Sequence, residues 1–408
     1  MISALRGFNL LPAIVFLPTR RKCDEAASAV ALDKSQRAEP ERQAGRQIIF
    51  TGFAEEYPEV LDHKHAQLIV HAGVAAHHAG HIPSWKLLIE KMMSAGLLNA
   101  LFATSTVAAG VDFPARAVVI SNADTRGNDG WRPLSASELQ QMTGRAGRRG
   151  RDNVGCVILA PGQFQNPQKI ADLLKSPPDA LESRFRATYT SLLNLLDAFG
   201  SFEQVREIAE RSFAFRGRSD SDPIWQSFDR RAKVLDKLGY LDYENEKVTD
   251  SGKWLADLRI DRPLLVGEGL RRGIFDELNV AHAAGLMASV ASDADRSYGE
   301  MHGSRRMSDI LGEFEEIVVQ VSNAEWKEGV EPAEEINYSA ATAAERWTAG
   351  MDWDELVDRT KAEEGDLVRL LSRTGEALRQ LANLRDSNPT AAAIAASAST
   401  AMLREPVR

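Results

Sequence analysis

The sequence predicts an α/β protein, a parallel sheet with flanking helices, followed by a mostly α-helical C-terminal region. Three observations predict it. Over residues 1–176 short continuous apolar runs alternate with helical periods, the pattern of strands buried on both faces. After Pro177 and Pro178 helical periodicity takes over to about residue 386. Within that second stretch "GYLDYENEKVTDSGKWLADL" (239–258) reads as a short hairpin between helices, as in a winged-helix unit.

The elements follow in order. "AIVFL" (13–17) is a first strand, and Pro18 and Thr19 then start a helix that continues through "RRKCDEAASAVAL". Residues 31–65 are charged and weakly periodic and are expected to form a surface insertion. "QLIV" (67–70), "ALFAT" (100–104), "AVVIS" (117–121) and "GCVILA" (155–160) read as further strands. "SWKLLIEKMMSAG" is an amphipathic helix ended by Gly96. Residues 177–222 read as winged-helix-like connector helices and 223–386 as a helical C-terminal domain, with the acidic stretch 323–335 as a linker and the acids of 242–250 and 313–335 solvated. The low-complexity tail, 387–408, is expected to fray.

A length of 408 residues implies two or three domains, and a formal charge of −9 excludes a general polyanion-binding coat. Any nucleic-acid contact therefore comes from local patches. Two cysteines, Cys23 and Cys156, exclude a disulfide framework and favour a reduced, cytosolic compartment. No apolar run approaches the roughly 18 residues of a membrane span, and "LLPAIVFL" lacks the basic start and cleavage site of a signal peptide.

Against that acidic background "SELQQMTGRAGRRGRD" (137–152) carries four arginines and three glycines. Ser135 and Glu138 fit a capping box, so a helix begins near Ala136. On a helix Gln141, Gly144, Arg145 and Arg148 share one face, with Leu139, Met142 and Ala146 opposite. Two guanidiniums beside a glycine suit paired bonds to phosphate oxygens. The plainer reading is a solvated basic helix end, which the helix dipole favours.

"QMTGRAGRRG" resembles motif VI of superfamily 2 helicases, in the form used by the superkiller and exosome-associated DExH-box RNA helicases. "FATSTVAAGVDFPARAVVI" (102–120) resembles their motif V, "IVFLPTRRKCDEAA" (14–27) their motif IV, and "GVAAHHAGHIPSWKLLIE" (73–90) the histidine-containing segment between. The resemblance covers roughly residues 10–385. It implies a second RecA-like domain (1–176) and a helical, ratchet-like domain. It further implies that Arg145 and Arg148 reach the γ-phosphate of ATP, Arg148 as the finger proper, with Gln141 as the motif glutamine. Gly110, Asp112 and Gly144 would lie against the nucleotide and domain interface. Thr19, Arg20 and Thr104 would touch the nucleic-acid backbone, and Arg369 and Arg373 would line an RNA channel. Asp112 stands where the family usually has asparagine, and the arch-like insertion of larger members has no room here.

No G-x-x-x-x-G-K-[ST] occurs in the chain, and "SGKW" (251–254) lacks both the upstream glycine and the Ser or Thr. "CDEAA" (23–27) imitates a magnesium-binding pair, but it follows a helix start, so Asp24 and Glu25 read as surface helix residues. The expectation is the C-terminal half of a motor that hydrolyses no ATP alone. ATP with Mg²⁺ would be held mainly by a first RecA-like domain, in cis or in trans. Its substrate would be single-stranded RNA, moved 3′ to 5′. The alternatives are a non-catalytic nucleic-acid-binding or scaffold module, or half of a DNA repair helicase.

Six of the eight histidines, His63, His65, His71, His77, His78 and His81, lie between 63 and 81. A metal site is not expected: no cysteine is near, and adjacent His77 and His78 on a strand point to opposite faces.

Overall fold

The computed structural model describes residues 1–33, 39–108, 113, 115–127, 130–148, 150, 152–162, 165–180, 187–211, 222–293, 296–332 and 335–408. The chain divides into two compact units, Met1–Leu181 and Glu182–Arg408.

The first unit runs α1 (Ile2–Gly7), β1 (Ala13–Phe16), α2 (Arg20–Ala31), α3 (Pro40–Ala54), α4 (Ala66–Ala72), β2 (Val74–His77), α5 (Pro83–Ser94), β3 (Ala100–Ala103), β4 (Ala117–Ile120), β5 (Asp124–Gly127), β6 (Gly130–Pro133), α6 (Ala136–Thr143), β7 (Cys156–Leu159) and α7 (Pro167–Lys175). Five parallel strands form one sheet in the order β2-β3-β1-β4-β7, and β5 and β6 pair as a separate antiparallel ribbon. Strands β1 to β4 are buried along their whole length, as their apolar runs require. The register places Phe16 opposite Ala103 and Ile120, and His77 opposite Ala103. The loops after β1, β2, β3 and β4 therefore leave one level edge, the edge where parallel sheets bind ligands.

Two expectations fail in this unit. "QLIV" is not a strand: it lies in α4, which buries Ile69 and Val70 on one face and ends at Gly73 in the left-handed region (φ 64°). A four-residue apolar run does not separate a strand from the buried face of a short helix. Nor is 31–65 an insertion on the surface. Helix α3 buries Phe50, Phe53 and Arg46. The Arg46 guanidinium donates to the carbonyls of Val70 (2.7 Å), His71 (3.1 Å) and Leu97 (3.1 Å). It caps the C-terminal end of α4 and the turn after α5, where helix dipoles favour a cation.

The second unit contains α8 (Tyr189–Phe199), α9 (Phe202–Glu210), α10 (Asp222–Lys237), β8 (Leu241–Asp242), β9 (Lys247–Val248), α11 (Asp250–Ala256), α12 (Pro263–Arg271), α13 (Val280–Ala291), α14 (Arg305–Lys327), α15 (Tyr338–Thr348), α16 (Trp353–Thr360), α17 (Glu364–Ala382) and α18 (Pro389–Met402). The antiparallel pair β8–β9 is the expected hairpin. One core runs through the unit, with the Ala-rich α13 packed against α15, α17 and α18.

The tail does not fray. Ala391, Ala395, Ala398 and Met402 of α18 are buried, and Ser399 donates to the Gly375 carbonyl (2.9 Å). Trp347 Nε1 donates to the Met402 carbonyl (2.8 Å), and the Arg404 guanidinium stacks 3.5 Å from the Trp347 ring. Low complexity here is a small-residue packing face, which lets α18 approach α17 closely. The acidic linker is likewise partly helix: 323–327 finish α14, and Glu325 is buried, accepting from the Tyr189 hydroxyl (2.8 Å). That donor removes the cost of burying the carboxylate unpaired. No helix among the described residues is long and apolar enough to cross a membrane.

Candidate functional site

The level edge gathers Thr19, Arg20 and Thr104 of the first unit. Thr19 follows β1 and caps α2, its hydroxyl accepting from the Lys22 amide (3.3 Å). Arg20 is the first residue of α2 and is half-buried. Thr104 follows β3 directly and shares a hydrogen bond with Thr106 (2.9 Å). A shallow cleft between these strand ends is lined by Leu17, Ser105, Ser121, Asn122 and Met142. Met142 belongs to α6, so the cleft joins the segments after β1, β3 and β4 to the arginine segment. Gly110 and Asp112 lie outside the described residues.

The capping box forms as the spacing predicts. Ser135 Oγ accepts from the Glu138 amide (3.3 Å), and Glu138 accepts from the Ser135 amide (3.0 Å). Leu139 and Met142 are buried. The shared helical face of Gln141, Gly144, Arg145 and Arg148 does not form, because α6 stops at Thr143. Gln141 is exposed on the helix, while Gly144 and Arg145 lie in the turn beyond it. Ala146 then bridges to Ala115, and the Gly147 amide donates to the Ala115 carbonyl (2.8 Å). Gly147 takes a left-handed φ of 93°, and a Cβ on Gly155 would collide with the Ala146 carbonyl. The glycines let two backbones touch, so the chain leaves the helix early.

Arg148 has a partner that the resemblance does not foretell. Its Nε and Nη2 donate to the two oxygens of Asp152 (2.7 and 2.8 Å), and its amide donates to the same carboxylate (3.0 Å). The paired arginine holds the Asp152 carboxyl well below the usual carboxylate range, with the Arg148 amide and Arg116 adding to it. Arg148 is thus held in a two-toothed fork whose geometry a phosphate also satisfies. The four-residue spacing in "RRGRD" was the available signal. Arg145 is half-buried.

Asp24 is not a surface helix residue. Its side chain is 19% exposed and meets four basic side chains. Lys64 Nζ binds Oδ2 at 2.8 Å. Around Oδ1 lie His78 Nε2 at 3.1 Å, His81 Nε2 at 3.4 Å and His65 Nδ1 at 3.6 Å. Burial alone would raise the Asp24 carboxyl, yet the His78, His81 and Lys64 donors outweigh it and hold it far below its ordinary value. Burial pushes His63 down to about 2 and His81 to about 4, with neighbouring imidazoles adding to the effect. Glu25 does lie on the surface, paired with Arg21 (3.4 Å). His77 leaves the cluster: its ring packs edge-on against Phe113, and burial pushes it down to about 3. Sequence reasoning missed Asp24 because its partners come from two distant loops.

In the second unit Leu367, Leu370, Leu371, Leu378 and Leu381 form a buried stripe on α17. Arg369 and Arg379 are exposed. Arg373 pairs with Asp261 and with Asp293 (3.2 Å).

Comparison with known proteins matches both units. Residues 31–150 match the helicase conserved C-terminal domain, and residues 245–408 match the DSHCT (NUC185) domain. The human superkiller complex protein 2 is 36% identical over 59% of this chain and 19% of its own length. The chain carries these two domains and is similar to the C-terminal part of the superkiller/exosome-type DExH-box helicases. Other relatives of this helicase region agree. The Arabidopsis thaliana DExH-box ATP-dependent RNA helicase DExH15 is 35% identical over 51% of the chain and 19% of its own length. The human exosome RNA helicase MTR4 is 35% identical over 48% of the chain and 19% of its own length. The helicase region spans about a fifth of the length of these relatives.

Proposed function

We propose that this chain supplies the second RecA-like domain and the helical C-terminal domain of an ATP-dependent RNA helicase. Arg145 and Arg148 complete a nucleotide site whose phosphate cradle and Mg²⁺ ligands lie outside these 408 residues. The first RecA-like domain that carries them is joined in cis or docks in trans. The observation that carries the reading is the fork between Arg148 and Asp152, which keeps the guanidinium charged and oriented in the turn after α6. A guanidinium placed where charge develops on the γ-phosphate lowers the barrier to phosphoryl transfer. For Arg148 this means exchanging the Asp152 carboxylate for phosphate oxygens. Gln141, exposed on α6, orients water or senses the phosphate in this reading.

Thr19, Arg20 and Thr104 provide backbone contacts to single-stranded RNA along the same edge, and Arg369 of α17 adds another from the second unit. Such contacts are not sequence-specific, and 3′-to-5′ movement follows by likeness to the family. Arg373 contributes only by releasing Asp261 and Asp293.

The test supplies a Walker A and DExH domain, fused or in trans, and measures RNA-stimulated ATP hydrolysis. The expected result is restored turnover that Arg148→Ala reduces by about a thousandfold. No turnover in any pairing, or turnover indifferent to Arg148, overturns the reading.

A further inference from the structure

We propose that Asp24, His65 and His81 form a binding site for one divalent transition-metal ion, Zn²⁺ first. The donor atoms are Asp24 Oδ1, His65 Nδ1 and His81 Nε2. All three lie within 4.8 Å of one another. The two carboxylate–imidazole separations are 3.4 and 3.6 Å. Ligands held at about 2.0–2.1 Å around a tetrahedral ion lie about 3.4 Å apart, so these separations match. Both imidazoles are buried, and among the described residues His81 Nε2 and His65 Nδ1 reach no acceptor or donor nearer than Asp24 Oδ1, at 3.4 and 3.6 Å, too far or too poorly aligned for a full hydrogen bond. Buried polar atoms are seldom left so, and two aimed at one carboxylate oxygen call for a common partner.

The surrounding groups sort ligand from support. Lys64 engages Oδ2 and leaves Oδ1 to the imidazoles. His78 is not a ligand. The Gly80 amide donates to its Nδ1 (3.1 Å), so its proton sits on Nε2 and is donated to Asp24 Oδ1 (3.1 Å). It supports the ligating carboxylate from outside. His81 Nδ1 faces His63 Nε2 at 2.8 Å. When His81 binds the ion through Nε2, its proton moves to Nδ1 and is donated to His63. His63 then carries its own proton on Nδ1 and loses the contact from the His65 amide (3.2 Å). The ion therefore competes with one backbone hydrogen bond in the loop that also supplies His65. Two nitrogens and one oxygen leave a position for water, and this borderline set suits Zn²⁺ over Ca²⁺ or Mg²⁺.

The site joins three segments: one turn into α2, the loop before α4, and the loop after β2. An ion there fixes the start of α2, which carries Thr19 and Arg20. The inference itself does not depend on the helicase reading, because it concerns uptake of an ion by this chain alone.

The experiment strips the chain with EDTA and titrates Zn²⁺ by calorimetry, with metal analysis after gel filtration and a Co²⁺ absorption spectrum. We expect one Zn²⁺ per chain, a higher thermal midpoint with the ion, and a Co²⁺ d–d spectrum of a nitrogen- and oxygen-ligated site. His65→Gln and His81→Gln weaken uptake by about tenfold or more, while His71→Gln and His77→Gln leave it unchanged. Should a ligand variant fail to fold, the wild-type stoichiometry and Co²⁺ spectrum still decide. Absence of stoichiometric uptake by the wild type overturns the proposal. So does uptake that the His71 or His77 variant removes, or that folded His65 and His81 variants keep.

Discussion

Two aspartates of the first unit each anchor a polar cluster, and the clusters are assembled in opposite ways. Asp152 is paired to an arginine four residues before it, within one turn of chain. Asp24 draws Lys64 from 40 residues away and His78 from 54 residues away. The Asp152 pair is local, with the arginine side chain 21% exposed, and a phosphate can replace its carboxylate. The Asp24 cluster is buried and exists only because a parallel sheet sets the loops after β1 and β2 on one edge. The comparison teaches that the number and sequence distance of the partners, not residue type, decide which aspartate supports the fold and which holds a movable group.

The largest effect that tests this contrast is predicted for Asp24→Ala. It leaves His78 Nε2 without its acceptor and removes the centre of the cluster. We predict a loss of about 3 kcal/mol in urea unfolding. A loss under about 1 kcal/mol breaks the view of Asp24 as a structural hub. Next comes Gly155→Ala, whose methyl group must push back the Ala146 carbonyl. We predict a cost of about 2 kcal/mol and a displaced arginine segment, seen as faster amide exchange around Gly147. Unchanged stability and exchange would show that the backbone crossing is slack.

A smaller effect, with a pH signature, is predicted for Asp152→Asn. The Asp152 carboxyl is depressed in the folded state, so the pair stabilises above the ordinary carboxylate pKa. That contribution is lost as pH falls through the depressed folded value. The stability gap between wild type and Asp152→Asn should thus shrink progressively below about pH 4. Urea midpoints across that range measure it, and a pH-independent gap contradicts the pairing. The smallest effect belongs to the neighbour of Asp24. Glu25→Gln removes an exposed pair with Arg21 and should change stability by less than about 0.5 kcal/mol. A larger change would erase the distinction drawn between adjacent acids.

Much of this was legible without coordinates. The apolar runs at 13–17, 100–104 and 117–121 became β1, β3 and β4, because continuous burial on both faces leaves a direct imprint, and the run at 155–160 became the partly buried edge strand β7. The Ser135–Glu138 capping box was readable for the same reason: its hydrogen bonds span three residues. "QLIV" was misread because four apolar residues carry no period, and the end of α6 was missed because Gly147 and Gly155 act through a contact between chain segments. The alanine-rich tail looked featureless since its meaning lies in the shape of α17 opposite.

The sequence by itself determined the sheet-then-helix order, the family resemblance and the placement of two arginines after a capped helix, all consequences of periodicity and short-range spacing. Tertiary structure alone decided that Arg148 is held by Asp152 in a closed fork, that Arg46 and Glu325 are buried with partners, and that Asp24 sits among imidazoles. The physical reason is that burial and charge pairing depend on distances in space. Between residues 24 and 81 those distances are set by strand register, which a linear pattern does not carry.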